Sequence, residues 1–315
     1  MKSGAARLMR SLEYRHDALI HYSYGSIHAS RIEDRGDKFD KCSQRWAEEF
    51  QSRGIPYRFV AYEEIENGIL EKTSAKTLVL PHSAAISDKE VSAIEKFAKR
   101  GGIVVGDDLT GIFDEHCRLR EKPVLAGVFR TGLDLGPKPS DGVSEYRLFG
   151  RDGAEGRYWG FTRDQHAGEG EVERNVVLDE PAYVYDLRTK KAYGKVSEFK
   201  VALEAAQAKF IAALPYDVGD VSVAAGDVAA GEMAKVTVKV GLPPDAKACH
   251  PVLVEVFTPD GKRSRLYSGV CDAKGGAGEY SFRTALNDSA GSWRIVATDY
   301  VTGKTVVASL SVRSK

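Results

Sequence analysis

The chain has 315 residues, 43% of them apolar and 29% charged, the profile of an ordinary folded protein that is too long for one core and suits two or three domains. Its 45 basic residues balance 45 acidic ones, which removes any electrostatic ground for binding nucleic acid or an anionic membrane. No run approaches the roughly 20 apolar residues that span a bilayer. Met1 to Tyr14 lacks the apolar centre of a secretory signal, so a soluble protein is expected, with a cytoplasmic location favoured.

The first third alternates strand and helix signals. Ala18 to Tyr22 is a short apolar strand that stops at Ser23-Tyr24-Gly25. Phe39, Trp46 and Phe50 then recur at helical spacing, and Gly54 and Pro56 close that helix near Arg53. Tyr57 to Val60 and Thr77 to Leu80 read as the second and third strands. Ser87 followed three residues later by Glu90 is a capping box opening a helix with Val91, Ile94 and Phe97 on its apolar face. Ile103 to Gly106 is the fourth strand. Short apolar strands separated by helices predict a parallel sheet covered on both faces.

After Pro123 the period changes. Tyr146 to Phe149, Arg157 to Phe161, Ala182 to Asp186 and Phe199 to Leu203 read as short strands, with Arg151-Asp152-Gly153 as a turn between the first two. Ala208 to Leu214 suits helix or strand, and the closing Pro215 favours strand. From Asp217 onward six strand-like runs with turns at Pro259-Asp260-Gly261 and Thr302-Gly303 suggest an immunoglobulin-like sandwich.

Four stretches carry a resemblance: His21 to Ala29 (HYSYGSIHA), Leu78 to Asp88 (LVLPHSAAISD), Gly101 to Asp107 (GGIVVGD) and Gly111 to Arg118 (GIFDEHCR). Together they make residues 15–130 resemble the trimerisation domain of family 42 β-galactosidases. The resemblance implies a flavodoxin-like, class I glutamine-amidotransferase-like fold. Tyr183 to Thr189, closing on Tyr193-Gly194, is similar to β-sandwich accessory modules of polysaccharide enzymes. In that family the two catalytic carboxylates lie on a TIM barrel preceding the trimerisation domain. Only about 15 residues stand before the first strand, so neither carboxylate is carried over to this chain.

The expected architecture is therefore α/β plus all-β: a flavodoxin-like parallel-sheet domain over 1–135, an antiparallel β-sandwich over 136–216 and an immunoglobulin-like sandwich over 217–315. The expected function is that of a non-catalytic assembly or accessory region of a β-galactosidase-like glycoside hydrolase. The alternative is a stand-alone carbohydrate-binding or interaction protein; a hydrolase with its active site on the first domain ranks last.

Several residues are candidates for contact or chemistry. Asp107 and Asp108 stand at the C-terminal end of a parallel strand, where open α/β sheets bind ligands, and Asp114, Glu115 and His116 follow closely. Their plain reading is helix capping, pairing with Arg118 or Arg120, or an interdomain contact, since they lack a recognised metal-ligand spacing. Ser26, His28 and Arg31 follow the first strand as a loop at the same crevice edge. His82 and Ser83 occupy the turn after the third strand, which has neither the cysteine nor the glycines of an amidotransferase elbow. Tyr158, Trp159 and Tyr183 are candidate sugar-stacking rings, although strand alternation favours core packing. Cys42, Cys117, Cys249 and Cys271 show no zinc spacing. Cys249 and Cys271 share a module, and whether they pair is open, reduced thiols being the plainer reading. No cofactor or metal is expected. Expected partners are a catalytic barrel domain or subunit, and carbohydrate; self-association is expected to be weak or partner-dependent.

Overall fold

The structure is a computed structural model, and it describes residues 4–32, 36–136 and 141–314. The chain divides into two compact units. One, the α/β unit, gathers Tyr14–Arg147 and Phe161–Gly168. The other, the β-rich unit, gathers Met1–Glu13, Leu148–Gly160 and Glu169–Lys315.

The α/β unit is built on a four-stranded parallel sheet in the order Tyr57–Ala61, Ala18–Tyr22, Thr77–Val79, Ile103–Val105. Successive side chains leave a strand on opposite faces. Ala18, Ile20, Val79 and Val105 thus pack on Phe50 and Trp46 of the helix Lys38–Ser52. Leu19, Leu78 and Val104 pack on the other face against Ile94 and Phe97 of the helix Asp88–Lys99, with Ile65 and Leu70 from the short helices Tyr62–Glu66 and Ile69–Lys72. The predicted capping box is formed: the Ser87 hydroxyl accepts the Glu90 N–H at 3.2 Å and the Glu90 carboxylate accepts the Ser87 N–H at 2.8 Å. Gly102, just past that helix, is required by packing, because a Cβ there would lie 2.3 Å from the Phe97 ring. One expectation is corrected. The segment holding Ser26, His28 and Arg31 is not a loop but the helix Tyr24–Ile32.

Beyond Val143 the regular elements among the described residues are strands, apart from a single 3-10 turn at Arg151–Gly153. A six-stranded sheet runs in the order Leu12–Glu13, Val143–Gly150, Arg157–Arg163, Ala208–Leu214, Val172–Asp186, Ala192–Leu203. Ala208–Leu214 is a strand, antiparallel to Val172–Asp186 in the register Ile211↔Asp186. The division between units passes through the second and third strands of this sheet.

An eight-stranded sheet follows in the order Val221–Ala225, Met233–Val240, Ala277–Arg283, Arg263–Lys274, Cys249–Phe257, Gly291–Asp299, Thr305–Arg313, Val228–Ala229. Neighbouring strands in it pair antiparallel, except the two-residue strand Val228–Ala229, which runs parallel to Thr305–Arg313. Met233–Val240 shows why it is a strand: Ala234, Val236, Val238 and Val240 point inward and Lys235, Thr237 and Lys239 outward. The core of the β-rich unit gathers these valines with Val252, Val254, Ile295, Leu310 and the fully buried Trp293, together with Leu8 of the helix Gly4–Arg10. All four cysteines are free thiols. Among the described residues no helix is long and apolar enough to cross a membrane.

Candidate functional site

The parallel register places the ends of Ala18–Tyr22, Thr77–Val79 and Ile103–Val105 side by side, and the polar residues of the α/β unit collect beyond them. His21 shares a sheet face with Leu19, so its imidazole enters the layer beneath the helix Asp88–Lys99. There its Nδ1 lies 2.9 Å from the Ser83 hydroxyl and its Nε2 2.8 Å from Glu90 Oε1. The order hydroxyl, imidazole, carboxylate is that of a nucleophilic triad. A nucleophile must be reachable, however, and Ser83 and His21 are 0% exposed and Glu90 2%. The second Glu90 oxygen is engaged by the Ser87 N–H, and the Ser87 hydroxyl donates to Glu66 at 2.6 Å. The group ties a strand end, a turn and a helix start into one buried network, every polar link of which has a partner.

His82, the next residue back, faces elsewhere. Its φ of +49° is in the left-handed region, and its Nδ1 is 3.4 Å from Asp107 Oδ2. Its Nε2 is buried and has no hydrogen-bond partner among the described residues. Burial pushes the Asp107 carboxyl up, but His82, the Leu109 N–H and the Thr110 hydroxyl outweigh it and hold the group below the usual carboxylate range. Asp107 thus stays ionised and closes a turn at the strand end.

The open feature at this edge is a pocket of about 460 Å³ lined by Tyr24, His28, Tyr62, Glu115 and His116, with Glu90 among its inner residues. Tyr24 is 56% exposed and meets Tyr62 edge to face at a centroid distance of 6.4 Å. Rings beside carboxylate and imidazole groups offer both a stacking surface and hydrogen-bonding groups, the mixture that fixes a small polar ligand.

The expected site residues are therefore only partly gathered. His28, Glu115 and His116 share the pocket, and His82 and Asp107 pair beside it. Ser26 does not reach the crevice: it is buried, donating to the Ala85 carbonyl at 2.9 Å and accepting the Ala85 N–H at 3.1 Å. Arg31 and Asp108 are exposed and stand outside the pocket lining. Asp114 accepts the His116 and Arg118 N–H groups and the Arg118 guanidinium at 2.7 Å, so it builds a turn. Among the described residues no group of three His, Cys, Asp or Glu side chains is placed to hold a metal ion. Tyr158 and Trp159 are each 5% exposed; their rings belong to the core, Trp159 against Phe199 and Tyr158 against Phe210. Tyr183 is half-buried, with the Lys195 ammonium over its ring.

Sequence reading missed His21, Tyr24 and Tyr62, and saw in Glu90 only a cap. A signal for His21 was present: a histidine inside the apolar run Ala-Leu-Ile-His-Tyr needs a buried partner.

No family model and no curated protein matches the chain. Among solved structures it is similar to a GH42 exo-carrageenase from Bacteroides ovatus, at 13% identity and a TM-score of 0.42 over 64% of this chain and 29% of that one. It is also similar to Gan42B, a GH42 β-galactosidase, at 12% identity and a TM-score of 0.42 over 62% and 40%. A putative β-galactosidase from Bacteroides fragilis aligns at 18% identity and a TM-score of 0.20 over 51% and 33%. The chain spans well under half the length of these glycosidase structures. Likenesses at these scores do not bear on what the chain does.

Proposed function

We propose that this chain is a non-catalytic assembly or accessory region of a β-galactosidase-like glycoside hydrolase. In this reading the α/β unit is a flavodoxin-like, trimerisation-type domain, and two β-sandwich modules follow it, the second immunoglobulin-like. The observation that carries the non-catalytic part is the burial of Ser83, His21 and Glu90: this serine–histidine–carboxylate grouping presents no hydroxyl to a substrate, and the similar set Tyr216, His250 and Asp299 is buried too. The motif resemblance of residues 15–130 supports the glycosidase context. The pocket around Tyr24, Tyr62, His28, Glu115 and His116 is assigned a contact with a catalytic barrel or with the sugar such a barrel holds. Self-association of the chain alone is weak or partner-dependent, because a stable specific interface buries at least about 1,000 Å² in total and excludes charge from its centre.

Purified protein is expected to leave aryl galactosides and other aryl glycosides unhydrolysed. Turnover that survives repurification and is abolished by Ser83→Ala or Asp107→Asn overturns the non-catalytic reading. Light scattering over a dilution series tests the association claim, and a mass that stays at three times the monomer at nanomolar concentration refutes it. A second reading, a stand-alone carbohydrate-binding protein, is favoured by the exposed Tyr24 ring. Saturable binding of an oligosaccharide by the chain alone, lost in Tyr24→Ala, would select it.

A further inference from the structure

The two charge signs balance along the sequence, yet they separate at one concavity of the β-rich unit. A pocket of about 610 Å³ is lined by Arg7, Arg10, Arg151, Lys247 and Lys274, with Asp272 the one acid in its wall. Arg7 lies 3.3 Å from Asp272. The other four cations make no ion pair among the described residues.

The walls are fixed by backbone bonds. The Arg151 N–H donates to the Ser11 carbonyl at 2.8 Å, the Glu155 N–H to the Lys247 carbonyl at 2.6 Å and the Gly275 N–H to the Ala248 carbonyl at 2.8 Å. Arg10 ends the helix Gly4–Arg10, and Lys274 ends the strand Arg263–Lys274. Four separate chain segments thus deliver like charge to one place. Such charges repel one another, and an anion among them relieves the repulsion. Arginine forks and lysine ammonium groups make their strongest hydrogen bonds to sulfate, phosphate and carboxylate oxygens. The volume lies in the range of small-ligand sites.

We infer that this pocket binds a small molecule bearing sulfate or phosphate ester groups, held by Arg10, Arg151, Lys247 and Lys274. The inference does not rest on the assembly reading, since it concerns a different unit and a different ligand chemistry. Cys249 lines the same pocket and supplies a reporter in the unaltered protein.

The test titrates the full chain calorimetrically with three probes: a sulfated disaccharide, a sugar phosphate and inorganic phosphate, at low and at physiological salt. Saturable binding at one-to-one stoichiometry is expected for at least one ester, and which ester binds tighter identifies its source. Arg10→Ala, Arg151→Ala and Lys274→Ala remove exposed side chains and are each expected to weaken binding about tenfold. The saturating ester is also expected to slow maleimide labelling of Cys249 while labelling of Cys42 is unchanged. Absence of saturable binding by any probe, affinity unchanged in all three variants, or Cys249 labelling indifferent to a bound ester would each overturn the inference. Tighter binding of inorganic phosphate than of either ester would do so as well.

Discussion

Each unit buries a histidine against a carboxylate, and the two pairs do different work. In the α/β unit, Glu90 divides its oxygens between His21 and the Ser87 N–H, so one side chain serves both the pair and the start of a helix. In the β-rich unit, Asp299 Oδ1 meets His250 Nδ1 at 2.9 Å, and Oδ2 accepts the Thr302 N–H and hydroxyl at 2.8 and 2.7 Å. His250 and Asp299 come from neighbouring strands, where Asp299 stands opposite Val252, so this pair locks strand to strand and both to the following turn. Glu90 reaches the lining of a pocket. Asp299 instead adds to a phenol-rich interior: burial first, and then its charge among other nearby acidic groups, raise the Tyr158 and Tyr216 hydroxyls, and push Tyr185, which also bonds Asp217, up to about 12. The carboxylate used for tertiary locking lies within a core, whereas the one used for capping, equally buried, backs onto a pocket.

The larger loss of stability is expected at Asp299, and a larger one at Glu90 would reverse the grading of the two pairs. Asp299→Ala strands a buried imidazole and a turn, and is expected to cost about 3–5 kcal/mol in urea denaturation. Its acid behaviour follows from sign. Burial raises the Asp299 carboxyl, but His250 and Thr302 outweigh that and hold it below its ordinary 3.8. A depressed folded value contributes stability that is complete above the unfolded value and is lost as pH falls through the folded one. The stability gap between the parent and Asp299→Asn is therefore expected to be flat at pH 5 to 7 and to narrow only below about pH 4. A gap already narrowing near pH 6 would place its origin in another group.

Glu90→Ala comes next, at roughly 2–3 kcal/mol, through the lost cap and the unpaired His21. A cost equal to that of Asp299→Ala would show that the two pairs are not graded as described. Ser83→Ala sharpens the same point: as the terminal member of a buried chain it should cost about 1 kcal/mol, and a stabilised variant would show its hydroxyl to be strained. Smallest of all is Tyr24→Ala, expected within about 0.5 kcal/mol of the parent, because the ring is largely exposed.

Much of the fold was legible where one physical signal dominated. The apolar runs, the capping box at Ser87 and the glycine after Arg53 fixed the parallel strands and two main helices. The helix Tyr24–Ile32 was not legible, since its Gly, Ser and β-branched residues are weak helix formers and Ser26 anchors it to Ala85 from across the chain. Arg263–Lys274 was not among the strand-like runs read from the sequence, because Arg263, Ser264, Arg265 and the exposed Leu266 break the apolar alternation of its first half. The site was hidden for a different reason. Ser83 and Glu90 lie 62 and 69 residues from His21, and only the parallel register makes them neighbours.

The β-rich unit is discontinuous, with the whole of Tyr14–Arg147 inserted between its first and second segments. Leu8 and Leu12 belong to the same core as Trp293, and Gly4 lies so close to Tyr300 that a Cβ there would fall 2.5 Å from the ring. During synthesis the opening helix leaves the ribosome long before the surface that covers it, so its apolar side waits unprotected while the α/β unit folds. An expression boundary drawn at 136 to isolate the sandwich region would discard that helix, leave a hole beside Tyr300 and remove the edge strand paired with Phe149 and Gly150. A fragment that keeps Gly4–Glu13, rejoined by a linker to the later segments, is the one to make.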